Sequence, residues 1–198
     1  IVHSRASFGI DAPLVQVEVH LSNGLPNFAI VGLPETAVRE SRERGRSALL
    51  NCQLQFPQQR ITINLAPVEL PKAGGRFDLA IAVGILAASG QLGVELPHNL
   101  VLLGELALSG EVRRVGGLLP SLLACWREQR RCIVPRDNAA EAALLPDADV
   151  HLCSHLLQLL QFLRGEAPLD KASASQISVE RKAPDFRDVI GQDAAKRA

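Results

Sequence analysis

The sequence is poor in aromatic residues, which make up 4% of its 198 residues, with one Trp and no Tyr. A core of ordinary size must therefore be built from Leu, Ile, Val and Ala. The formal net charge is zero, from 21 basic and 21 acidic residues, so the chain lacks the overall basic excess of a dedicated nucleic-acid clamp. Any contact with nucleic acid must be local.

Paired cysteines, long apolar runs and Met are also absent. Because Cys52, Cys125, Cys132 and Cys153 form no CxxC pair, we expect reduced, buried thiols and a cytoplasmic protein. The richest apolar segment, 79–88, has about half of the ~20 residues that a membrane span needs, so we expect no membrane association. Met is missing even at position 1, and we therefore expect a trimmed piece of a longer protein.

Apolar and polar residues alternate over 15–21, which predicts a half-buried strand. A second strand over 27–31 is expected to pair with it as a hairpin, because turn residues separate the two. Pro34 begins a helix that we expect to run to about Leu50.

Farther along the chain, the pattern predicts an apolar helix over 78–88 and a second hairpin with arms over 101–108 and 111–115. Helices and short strands then alternate up to residue 164. Hairpins thus come early and βαβ units late, which predicts an α+β fold in which helices pack on a mixed sheet.

Two stretches, 71–82 and 104–118, resemble the active-site region of Lon-type protease domains. The resemblance implies a Lon-protease-like fold (ribosomal S5 domain 2-like) and a Ser–Lys dyad, in which a partly desolvated lysine activates a serine hydroxyl. The two dyad positions hold Arg76 and Leu119 here. Neither side chain can act as nucleophile or base, so we expect no catalytic residue in this chain.

The whole chain resembles the Mg-chelatase-like (ComM/YifB) family of AAA+ ring ATPases, through the stretches 2–6, 32–42, 64–67 and 75–79. The resemblance implies an N-terminal Lon-protease-like domain at 1–164, a linker at 165–184 and the start of an AAA+ module at 185–198. No G-x-x-x-x-G-K-[ST] phosphate loop occurs. We therefore expect no cofactor in this chain, with ATP and Mg in the parent protein.

The family implies a hexameric, ATP-dependent DNA helicase that acts in branch migration during natural transformation and recombination. The expected role of this domain is to contact single-stranded or branched DNA, to organise the ring, or both. One alternative is a protein-interaction module, with DNA handled elsewhere in the ring. A residual Lon-type peptidase is a further alternative with little support.

Six arginines are candidates for DNA contact. Arg39, Arg42 and Arg46 fall within a sector of about 60° on the helix from Pro34. They either form a phosphate-binding stripe or belong to a solvated face that pairs with neighbouring glutamates. Arg113 and Arg114 lie on the second hairpin, one expected to point outward and one to pair internally.

Arg76 is the sixth candidate: it either binds phosphate or closes a loop by hydrogen-bonding backbone carbonyls, with Asp78 or Glu105 nearby. Lys72, just before the glycine loop, is expected to be a solvent-exposed charge. His151, Cys153 and His155 lack an evident fourth ligand, which zinc requires. We therefore expect no metal there, and a buried Cys153 flanked by surface histidines.

Overall fold

The computed structural model describes residues 1–173, and its largest element is an eight-stranded sheet. Within these residues the strands, in chain order, are β1 (Val2–Arg5), β2 (Leu14–Ser22), β3 (Asn27–Val31), β4 (Arg60–Ala66), β5 (Leu100–Leu102), β6 (Glu105–Leu106), β7 (Val112–Arg113), β8 (Arg131–Pro135), β9 (Val150–Cys153) and β10 (Asp170–Lys171). The α-helices are α1 (Thr36–Arg39), α2 (Ser41–Asn51), α3 (Asp78–Ala88), α4 (Leu119–Arg127), α5 (Ala139–Ala142) and α6 (Leu156–Leu163).

The sheet is mixed, with the strand order β10-β9-β8-β5-β1-β2-β4-β3. Four neighbouring pairs are parallel: β9 with β8, β8 with β5, β5 with β1, and β4 with β3. The other three pairs are antiparallel. The predicted arrangement of helices on a mixed sheet is confirmed. The later predicted hairpin is present only in part: β6 and β7 form a separate antiparallel pair, whereas β5, in the first predicted arm, belongs to the large sheet.

The predicted hairpin between β2 and β3 is wrong. β4 lies between these two strands, antiparallel to β2 and parallel to β3. The apolar residues of β4, Ile61, Ile63 and Leu65, are at most 1% exposed. Both edges of β4 form strand pairs, and its buried residues belong to the main apolar cluster, so its place in the sheet is set by contacts distant in sequence.

Apolar residues cover both faces of the sheet. In β5, Leu100 and Leu102 join a cluster with α2, α3 and α6 on one face, whereas Val101 belongs to a second cluster with α4 and α5. Because neighbouring strand residues point to opposite faces, α2 and α4 lie on opposite sides of the sheet. α3 spans the predicted residues 78–88 and is buried through Leu86.

The predicted helix from Pro34 to Leu50 is divided. α1 ends at Arg39 and α2 begins at Ser41, with Glu40 between them. Arg39 thus lies at the end of α1, whereas Arg42 and Arg46 lie on α2. Val38 of α1 and Leu49 of α2 are both fully buried and anchor the two helices in the core.

The sheet continues past the predicted boundary at residue 164. Leu169 is 5% exposed, and Asp170–Lys171 pairs with β9 as its last strand. The rest of the predicted linker and the predicted AAA+ segment, 174–198, lie outside the described residues. Over residues 1–173, no helix is long and apolar enough to cross a membrane.

Candidate functional site

Arg76, at the first predicted dyad position, connects its own loop to the loop that precedes Leu119, the second predicted position. It lies in a single 3-10 turn, Gly75–Phe77, after Gly74, whose φ of +73° suits glycine. Arg76 is 7% exposed, and its Nη2 donates to the carbonyl oxygen of Gly116 at 2.7 Å. This bond matches the loop-closing alternative for Arg76. Its Nη1 is buried and finds no hydrogen-bond partner among the described residues.

A cleft of about 350 Å³ opens beside this contact, and we call it the Arg76 cleft. Glu105 and Arg114 line it together with the two glycine loops. Burial lowers the pKa of the Arg76 guanidinium, but arginine stays protonated in proteins. Leu119 begins α4 just beyond Gly116 and is 39% exposed. An arginine and a leucine occupy the two positions, so the pair provides neither a nucleophile nor a base.

Asp78 does not pair with Arg76, as the sequence had suggested it could. It is fully buried and accepts hydrogen bonds from Arg44 Nε at 2.6 Å, from the Ser41 hydroxyl and from the Leu106 amide. The hydrogen bond to Asp78 is the main reason that the pKa of Arg44 is raised. This network holds α2 against α3 and β6, and so it positions the exposed arginines of α2.

Lys72 is buried, and the prediction of a solvent-exposed charge is wrong. Its Nζ donates to the carbonyl oxygen of Pro67, and its backbone carbonyl accepts from the Glu35 amide at 3.0 Å. Burial lowers the pKa of this amine, and Glu69 partly opposes the shift. Lys72 therefore fastens the glycine loop to the segment before α1, a role that its position in the sequence did not reveal.

The exposed side of α2 carries Arg42 and Arg46, which are neighbours at a spacing of four residues. Both line a groove of about 150 Å³ with Phe28 of β3 and Phe56 of the loop after α2. The Arg42 guanidinium carbon lies 5.7 Å from the centre of the Phe28 ring, and the two phenyl rings stack with centroids 6.3 Å apart. We call these four residues the arginine–phenylalanine surface.

The glutamates of this region neutralise the surface only in part. Arg42 contacts Glu43 at 3.5 Å in an exposed pair, whereas Glu40 pairs with Arg44 instead. Arg39 and Arg46 form no ion pair within the described residues. Exposed pairs contribute little to stability, so Arg42 and Arg46 remain available to a polyanion.

The hairpin arginines lie elsewhere. Arg114 pairs with Glu141 at 2.9 Å at the edge of the Arg76 cleft, while Arg113 is exposed and has no ion pair within residues 1–173. Arg76 and Arg114 therefore line one cleft, and Arg42 and Arg46 line another groove. The six candidate arginines do not form a single surface.

The His151, Cys153 and His155 stretch has a structural explanation. His151 is 6% exposed, contrary to the predicted surface position, and its Nε2 lies 3.0 Å from Asp149. His155 Nδ1 accepts from the Leu157 amide and so caps α6. Cys153 is buried, as predicted, and burial raises the pKa of its thiol to about 11. Over residues 1–173, no group of three or more His, Cys, Asp or Glu is placed to hold a metal ion.

Trp126 is a further feature that the sequence analysis missed. It is the only Trp of the chain, and its side chain is 45% exposed at the end of α4. The sequence signal was available, because Arg127, Arg130 and Arg131 follow it closely. For Lys72 there was no such signal, since its burial depends on a contact between two loops.

Comparison with known proteins finds relatives that match over the whole chain. Residues 17–138 match the family model of subunit ChlI of Mg-chelatase. The competence protein ComM of Haemophilus influenzae is 49% identical over 204 residues, which cover 100% of this chain and 40% of ComM. The uncharacterized protein YifB of Salmonella typhimurium is 47% identical over 197 residues, covering 100% of this chain and 39% of YifB. Lon protease 2 of Desulfotalea psychrophila is 28% identical over 161 residues, covering 75% of this chain and 20% of that protease.

The chain is thus a mixed sheet with packed helices that has a distant similarity to Lon protease. More narrowly, the chain belongs to the Mg-chelatase-like family of subunit ChlI. It spans about 40% of the length of its relatives ComM and YifB.

Proposed function

We propose that this chain is the non-catalytic N-terminal domain of a ComM-like, hexameric, ATP-dependent DNA helicase. Its role is to contact single-stranded or branched DNA and to help organise the ring, while the parent protein uses ATP and Mg elsewhere. The process served is branch migration during natural transformation and recombination in the cytoplasm. The arginine–phenylalanine surface is the observation that carries the proposal.

The chemistry of this surface suits a nucleic-acid strand. The guanidinium groups of Arg42 and Arg46 supply positive charge for phosphates, and Phe28 and Phe56 supply flat apolar faces beside them. Two contacts give weak binding per domain, and it falls as salt rises. Six copies in a ring would multiply the binding without any new contact.

The proposed domain is non-catalytic because of the side chains at and beside the Arg76 cleft. A Ser–Lys mechanism needs a hydroxyl and a lysine amine free to take its proton. Arg76 and Leu119 provide neither, and the Lys72 amine donates instead to the carbonyl of Pro67. Proteolysis is therefore not part of the proposed function.

The direct test is a fluorescence-anisotropy titration of single-stranded, duplex and branched DNA with this chain at low and moderate salt. We expect binding at low salt that weakens when Arg42 and Arg46 are both changed to Ala. The matched control changes Arg136 and Lys171 to Ala, which removes the same charge from the opposite end of the sheet. Equal losses in both double variants, or no binding at low salt, would reject the DNA contact.

A role in ring assembly is supported by a different observation. β3 is the terminal strand of the sheet, and one of its edges has no partner strand in the described residues. Val31, at its end, is 47% exposed, and Leu33 just beyond is 59% exposed. Open edges with apolar residues favour association with another chain. Sedimentation velocity should show association that Val31→Lys abolishes; a monomer at all concentrations would argue against this second role.

A further inference from the structure

A second cleft lies on the opposite side of the sheet from the arginine–phenylalanine surface. Its volume is about 600 Å³, and it lies where α4 ends, next to the segment that leads into β9. It is lined by Trp126, Arg127, Gln129, Arg130, Asp147 and Asp149, and we call it the Trp126 cleft.

The indole of Trp126 is not needed by the core. On the same helix, Leu122 and Cys125 are buried against the sheet, while Trp126 turns away from them and stays 45% exposed. The cores on both faces are built almost wholly from aliphatic residues. An exposed indole in such a protein offers a large flat apolar face to something outside the fold.

Some charged groups of the cleft already have partners within the fold. Asp149 forms ion pairs with Arg131 Nε at 2.7 Å and with Lys171 Nζ at 3.2 Å. Arg130 also has a partner, because its Nη1 donates a hydrogen bond to the carbonyl oxygen of His98 at 3.0 Å.

Two ionic groups in the cleft remain free. Arg127 and Asp147 are exposed, and neither makes a side-chain hydrogen bond or ion pair within residues 1–173. Among the described residues, the cleft thus presents one flat apolar face, one cation without an ion pair and one carboxylate without a hydrogen bond. Gln129 adds an amide that is also without a side-chain hydrogen bond among these residues.

We infer that the Trp126 cleft binds a nucleotide, with the base stacked on the indole, the phosphate on Arg127 and an exocyclic amino group of the base on Asp147. Base stacking on an aromatic side chain suits every base, whereas a carboxylate distinguishes the group at C4 of a pyrimidine, where cytosine has an amino donor and thymine has a carbonyl acceptor. The cleft should therefore prefer cytosine to thymine, two pyrimidines of similar size. It is separate from the arginines of α2 and does not rest on them.

The single Trp makes the test direct, because intrinsic fluorescence reports on this cleft alone. Titrations with short oligo(dC), oligo(dT) and free CMP should show saturable quenching, stronger for oligo(dC) than for oligo(dT). CMP distinguishes a site for free nucleotides from one that needs a strand. Absence of saturable quenching with all three probes would overturn the inference.

Three variants sharpen the result. Trp126→Leu should weaken oligo(dC) binding, measured by anisotropy, by about 5- to 150-fold, whereas Trp126→Phe should retain most of it. Asp147→Ala should remove the preference for cytosine and leave oligo(dT) binding unchanged. If Trp126→Leu binds as tightly as the unmodified chain, the inference is wrong.

The Arg42→Ala, Arg46→Ala double variant separates this inference from the proposed function. It should leave the quenching by CMP unchanged, because the two sites lie on opposite faces of the sheet. Loss of CMP quenching in that variant would contradict a separate cleft. If CMP quenching persists and the double variant binds DNA as tightly as the unmodified chain, the cleft stands and the proposed DNA contact through α2 is rejected.

Discussion

The Asp78 network determines where the exposed arginines of α2 lie, so its loss should be costly. In Asp78→Ala, the Ser41 hydroxyl and the Leu106 amide lose an acceptor in a buried setting, and Arg44 loses its carboxylate. Asp78 is fully buried, while the Arg44 side chain keeps 21% exposure.

The expected loss in the free energy of unfolding is about 3–5 kcal/mol, because removing one partner of a buried pair leaves the other uncompensated. The residual exposure of Arg44 places the estimate toward the lower end, since water can partly solvate the freed guanidinium. A domain of ordinary stability has about 5–15 kcal/mol in total, so the variant should be markedly less stable.

Urea unfolding followed by circular dichroism measures this loss, and a double-mutant cycle with Arg44→Ala isolates the pair. The double variant should lose less than the sum of the two single variants, because each single change already breaks the same contact. A loss below about 1 kcal/mol for Asp78→Ala, or strict additivity with Arg44→Ala, would refute the reasoning.

Three further predictions concern other parts of the chain. Gly32 has φ +98°, and an added Cβ would lie 2.1 Å from the Leu65 carbonyl oxygen. Gly32→Ala should therefore lower the free energy of unfolding by at least ~2 kcal/mol more than the control Gly24→Ala, whose φ is also positive but whose surroundings are open. Equal urea midpoints for the two variants would contradict this. Burial raises the pKa of Asp149, but hydrogen bonds led by that from Arg131 outweigh it and lower the pKa to about 2. Its contribution to stability is therefore present above pH ~4 and lost toward pH 2, and acid titration of Asp149→Asn should show a shallower loss over that window; an unchanged profile would refute it. Finally, the chain should release no fluorescent peptides from labelled casein at any pH from 6 to 9, and cleavage by the unmodified chain would contradict the reading of the Arg76 cleft.

Local patterns predicted most of the elements, because they are set by neighbouring residues. The apolar run of α3 and the alternation of β2 have the predicted positions. The wrong pairing of β2 with β3 has a physical reason: the sequence shows the turn between them but not that β4, about 30 residues later, is inserted between the two. Strand order depends on burial across the whole sheet, which local periodicity does not encode.

The candidate site was predictable to a similar extent. Arg42 and Arg46 could be identified as exposed from helical spacing, yet their aromatic neighbour Phe28 comes from β3, on a different element of the fold. The burial of Lys72 and His151 was not predictable, because polar residues are ordinarily exposed and each of these two is held by a partner that folding brings near.

The central claim is that this domain contacts DNA through Arg42 and Arg46, and the salt dependence of binding tests it most directly. The slope of log Kd against log salt concentration, measured with single-stranded DNA, should fall by about 1.4 when both arginines are changed to Ala, because each phosphate contact on a single strand contributes about 0.7. The Arg136→Ala, Lys171→Ala control should keep the original slope. An unchanged slope in the Arg42→Ala, Arg46→Ala variant would contradict the account.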